Sequence, residues 1–128
     1  MSGKVEENNY EPVYEKNNVP EEIKKWNWGA FSLNILWGIG NKTYLPLLCL
    51  IPFFNLVWIF VCGIKGNEWA WKDGEYTDVE TFKKVQKTWN RAGITLFIIQ
   101  IAIIILYFVL FATFFSILFN NMNTYNNY

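Results

Sequence analysis

Residues 92 to 119, AGITLFIIQIAIIILYFVLFATFFSILF, hold 28 consecutive positions without a charged side chain. A second charge-free run, TYLPLLCLIPFFNLVWIFVCGI, fills the 22 positions from 43 to 64. A bilayer core about 30 Å thick is crossed by roughly 20 apolar residues as helix, so each run is long enough. In lipid the backbone must satisfy its own hydrogen bonds, which selects helices for such runs. Only 17% of the 128 residues are charged, too few to cover both runs in water. The expectation is an all-α membrane protein with two transmembrane helices, at 43–64 and 92–119, lodged in the plasma membrane as a multi-pass protein.

The polar segments divide the remainder. Residues 1–25 are acidic and lack the basic start and short apolar core of a cleaved signal, so both spans are expected to be kept. With Pro12 and Pro20 as breakers, this segment reads as a flexible tail. Residues 65–91 form a polar connection in which Lys72-Asp73-Gly74 signals a turn. Thr77-Asp78-Val79-Glu80 then matches a capping box, with Thr77 as the cap. Val79, Phe82, Val85 and Trp89 recur at near-helical spacing, interleaved with Lys83, Lys84 and Lys87. That pattern predicts an amphipathic helix over 78–91 lying on the headgroups. The final stretch, 120–128, reads as a disordered Asn/Tyr tail.

Residues 26–40 are harder to place. Fifteen positions make roughly 22 Å of helix, short of a full crossing. The Gly38-Ile39-Gly40 pair lacks the strand-before, helix-after context of a phosphate loop. Tryptophan favours the boundary, where the ring is buried and the N–H stays wet. Trp26, Trp28 and Trp37, with Trp69, Trp71 and Trp89, are therefore expected as membrane-interface anchors, and Lys42 as a headgroup anchor. The segment reads as an interfacial or re-entrant helix. Charge leaves an alternative open: if it crosses, ten basic residues fall on one side and Lys42 alone on the other.

Inside the spans, Pro52 should bend the first helix, and Asn55 and Gln100 should make intramembrane polar contacts. Gly40 and Gly66, each followed by asparagine, are expected to stop helices through a left-handed glycine. On one continuous helix Cys49 and Cys62 would stand about 20 Å apart, beyond disulfide reach.

Several of these residues recur as a set: Trp26-Asn27-Trp28-Gly29-Ala30-Phe31, Trp37-Gly38-Ile39-Gly40-Asn41-Lys42, Gly63-Ile64-Lys65-Gly66-Asn67-Glu68-x-Ala70-Trp71, then Phe82 and Gln86-x-x-Trp89. Over about residues 24 to 95 the set resembles a family of small bacterial membrane proteins of unknown function. The resemblance implies location and topology class and carries no activity. Some members bear a ribonuclease G label. This chain offers that label no nuclease domain, no paired metal aspartates and no basic RNA surface.

Function is bounded mainly by what is missing. There is no histidine, the commonest general base and metal ligand. Neither span contains an ionisable acid or base for a proton relay. Cys49 and Cys62 lack a neighbouring base in sequence. A formal net charge of zero provides no global field for nucleic acid. The expected protein is non-enzymatic, without cofactor or metal. Its partners would be the lipid bilayer and a membrane protein or a second copy of itself, as a subunit or self-associating element. The alternative is a small transporter or pore component with Pro52, Asn55 and Gln100 lining a path.

Overall fold

Helices make up every regular element among residues 15–127, the part of the chain described by this computed structural model. The α-helices are α1 (Trp28–Ser32), α2 (Asn34–Gly40), α3 (Phe54–Asp73) and α4 (Val79–Asn126), with 3-10 turns at Glu21–Ile23 and Leu45–Leu50. Trp71 meets Phe82, Asn67 reaches Gln86 through Asn27, and Phe60 reaches Phe97 through Phe31. These pairings run in opposite directions along the two long helices. α3 and α4 are thus antiparallel, with α1 inserted between them. Val19, Ile23, Ala30, Trp37, Cys62, Ala70, Trp71 and Phe82 form the core of this head.

Beyond Phe97 the fourth helix leaves the head, and every described residue from Ile98 onward is exposed. That free part runs roughly 44 Å at ~1.5 Å per residue. Its best 18-residue window has mean hydropathy 2.9 and no burial within the chain. α4 is the one helix among the described residues long and apolar enough to cross a membrane.

Residues 43–64 do not form the first of two expected spans. The reason is local. Proline pushes the preceding residue out of helical space, and Ile51 is extended at φ −77°, ψ 117°. Phe53 then takes a left-handed φ of 64°, and a new helix starts at Phe54. Pro52 breaks the run where a bend was expected. The 3-10 turn folds back onto α3, tied by the Trp58 indole N–H donating to the Leu45 carbonyl at 2.9 Å. Cys49 and Cys62 come together as a result, with Sγ atoms 3.9 Å apart and both side chains buried.

Other boundaries shift as well. The amphipathic helix expected over 78–91 and the second span are one uninterrupted helix, which continues through most of the supposed disordered tail to Asn126. Asp78, not Thr77, caps it, its carboxylate accepting the Thr81 N–H at 2.9 Å. That bond holds the Asp78 carboxyl below its ordinary range. The flexible-tail expectation falls partly on residues 1–14, which lie outside the described residues. From Glu15 on it is overturned, since Val19 and Ile23 are buried in the core. Lys16 donates to the Trp71 and Gly74 carbonyls, covering the open end of α3.

Two outcomes follow. A membrane-permeant disulfide-forming oxidant such as diamide should produce an intrachain Cys49–Cys62 bond in the full chain, read by mass spectrometry after tryptic digestion. A continuous 43–64 helix would forbid that bond, so its absence would refute the break at Pro52. A depressed carboxyl stabilises the fold above its unfolded-state pKa, and that stabilisation is lost as pH falls through the folded value. Asp78→Asn, which preserves the cap, should therefore flatten the acid limb of the head's stability curve.

Candidate functional site

The head buries polar side chains beside its apolar core. Asn27, Asn41, Asn67 and Gln86 are all buried, at 0%, 1%, 6% and 3% exposure. Buried amides are tolerated only when their donors and acceptors are matched. Here they match each other. Asn27 Nδ2 donates to Asn67 Oδ1 at 2.6 Å and to Gln86 Oε1 at 2.8 Å. The Trp37 indole N–H donates to the same Gln86 oxygen at 3.0 Å. Gln86 Nε2 donates to Asn41 Oδ1 at 2.6 Å, and that oxygen also accepts the Tyr76 hydroxyl at 2.7 Å.

Backbone groups close the network. Asn27 Oδ1 caps α1 by accepting the Ala30 N–H, and Asn90 Oδ1 accepts the Trp28 N–H at 2.7 Å. Asn67 Nδ2 donates to the Ile23 and Lys25 carbonyls, fixing the chain that enters α1. One amide from each of four segments therefore locks the head into one register.

Glycines set the spacing. A Cβ on Gly93 would lie 2.3 Å from the Trp28 carbonyl oxygen, and one on Gly66 would lie 2.6 Å from the Ala30 Cβ. α1 touches α4 and α3 almost backbone to backbone at these points. Gly66 lies in the middle of α3, so its role is close approach and the expected helix stop is overturned. Gly40 does end α2, with Asn41 as C-cap, yet no glycine among the described residues has positive φ. Lys42, two residues later, takes that conformation instead, at 57°.

The expected interface anchors separate into two groups. Trp37 and Trp71 are completely buried in the head's core and cannot lie among headgroups. Trp26, Trp28, Trp69 and Trp89 are half-buried. Lys42 is exposed and pairs with Glu75, whose carboxyl it holds below the ordinary range. That pair sits beside the start of α4, about 22 Å along the helix from Ile94 at ~1.5 Å per residue. The expected headgroup anchor is thus at the end of the head remote from the apolar helix. Gln100 is exposed and Asn55 half-buried, and no side-chain hydrogen bond joins either to another element among the described residues.

The surface that sequence reading missed lies on the other side. Leu50, Phe53, Leu56, Val57 and Phe60 are exposed, Phe53 at 86%. Phe31 ties this face to α4, with ring centroids 5.3 Å from Phe60 and 5.8 Å from Phe97. Trp28 adds a contact to Phe97 at 5.3 Å. The apolar belt on the head therefore lies level with the first turns of the free apolar helix. Its nearest signal in sequence was the charge-free run 43–64, read there as a crossing.

The arrangement holds shape and presents surface. The Tyr76 phenol, raised by burial, stays protonated as a hydrogen-bond donor. Among the described residues no three His, Cys, Asp or Glu side chains gather as a cation site. Removing the central amide is the direct test of the network. Gln86→Leu strands the Trp37 indole N–H and one of the two Asn27 amide hydrogens, each costing about 1–3 kcal/mol when buried unpaired, and leaves Asn41 Oδ1 with Tyr76 as its one remaining side-chain donor. A loss of about 3 kcal/mol or more is expected by denaturant unfolding in mild detergent, and a change below about 1 kcal/mol would refute the network. Gly93→Ala should separate α1 from α4 and broaden the Trp28 fluorescence environment. No family model, no curated protein and no solved structure matches this chain.

Proposed function

We propose that the chain is a single-span membrane protein whose helical head is seated in one surface of the bilayer. It works through contacts with lipid and with neighbouring membrane proteins, without catalysis. The observation that carries this reading is the level at which the head is apolar. Exposed apolar patches of this extent mark membrane or protein contact surfaces. The belt at Leu50, Phe53, Leu56, Val57 and Phe60 meets the free part of α4 through Phe31 and Phe97. Charge begins on α3 at Lys65 and ends on α4 at Arg91, so both helices change character at a similar depth. A head seated in this way needs one crossing and leaves the amide core above the hydrocarbon.

The transporter or pore reading asks Pro52, Asn55 and Gln100 to line one path. Pro52 and Gln100 are both exposed, and no observation favours that arrangement over lipid contact.

Topology decides between one crossing and two. In a Cys49→Ala/Cys62→Ala background, Ser2→Cys and Thr124→Cys should be labelled by an impermeant maleimide from opposite sides of the membrane. Labelling from the same side would restore the two-crossing arrangement and overturn this reading. Purification in mild detergent should in addition yield a homo-oligomer or a reproducible partner, and a clean monomer would remove the protein-contact half of the proposal.

A further inference from the structure

A cleft of about 310 Å³ opens between residues 22–26 and the first third of α4. Lys83, Lys87 and Arg91 line it from successive turns of the helix, and Lys25 lines it from the segment entering α1. Like charges four residues apart oppose helix formation unless something compensates them. The one carboxylate in the lining, Glu22, pairs with Lys83 at 2.9 Å. Among the described residues Lys25, Lys87 and Arg91 pair with no carboxylate. In a chain of zero formal net charge, three uncompensated cations thus surround one opening. Asn90 shares the lining with its Oδ1 already committed to Trp28, which leaves its amino group as a donor. Ile94, at the edge of the cleft, is where the apolar part of α4 begins.

We propose that this cleft binds the phosphate group of an anionic phospholipid. Lys25, Lys87 and Arg91 supply the positive contacts, the Arg91 guanidinium engages two phosphate oxygens, and the acyl chains run along α4 beyond Ile94. The proposal rests on the reading of a head seated in the bilayer surface, since that seating brings the cleft to the phosphate layer. Continuity between the basic lining and the apolar helix selects a lipid over free phosphate. Basic pockets at this depth are suited to lipid headgroups.

The test uses the full chain reconstituted into phosphatidylcholine vesicles with and without phosphatidylglycerol, followed by native mass spectrometry in mild detergent. Wild-type protein should retain phosphatidylglycerol in preference to phosphatidylcholine. Lys87→Gln/Arg91→Gln should lower that preference about twenty-five-fold, from about fivefold for each of the two basic residues at a lipid surface. The control Lys72→Gln/Lys84→Gln, which removes equal charge outside the cleft, should leave it unchanged. Equal loss in the control, or undiminished retention in the cleft variant, would overturn the site. In lipid-free detergent, phosphatidylglycerol should raise Tm and inorganic phosphate should not; an equal rise would overturn the lipid assignment. Resistance to alkaline extraction from pure phosphatidylcholine vesicles tests the seating separately. Protein that resists extraction without headgroup preference defeats this proposal alone, and protein that is extracted defeats the underlying reading.

Discussion

The whole head depends on how closely the five-residue helix Trp28–Ser32 approaches its two long neighbours. A helix that short has no stability of its own in isolation. It persists because it is caged: Gly93 admits its backbone on one side and Gly66 admits Ala30 on the other. Asn27 and Asn90 then satisfy N–H groups at its open start. Once α1 is wedged there, α3 and α4 are held apart at a fixed spacing. The apolar helix is thereby attached to the head by a rigid joint, not by a flexible linker.

Around this joint amides are buried beside apolar side chains, while a belt of large apolar groups stays outside. Matched amides gain strength in a dry interior and specify one geometry. Gln86 is the hinge of that scheme, since it joins Asn27, Trp37 and Asn41 at once. The leucines and phenylalanines that would form a conventional core are displayed instead along Leu45–Leu50 and the first turns of α3.

Sequence reading recognised the right residues more often than the right roles. Gly40-Asn41 and Gly66-Asn67 stand out in the sequence as two matching pairs, each expected to stop a helix. Both asparagines enter the same buried network, reached from different directions. The helix over 78–91 was legible from its spacing, although its cap was placed one residue early. Pro52 was legible as a disturbance. Its outcome depended on Ile51 and Phe53 taking non-helical conformations together, which no periodicity encodes.

By itself the sequence determined that the chain is helical and that 92–119 is apolar enough to cross a bilayer. Both follow from local properties: helical spacing, and a run of charge-free residues longer than a hydrocarbon core is thick. Tertiary structure alone decided that 43–64 folds back, that Trp37 and Trp71 are core residues, and that Cys49 meets Cys62. The physical reason is common to all three. A tryptophan, a glycine or an amide has no fixed environment in one dimension, and its role is set by the partner that close packing brings opposite it.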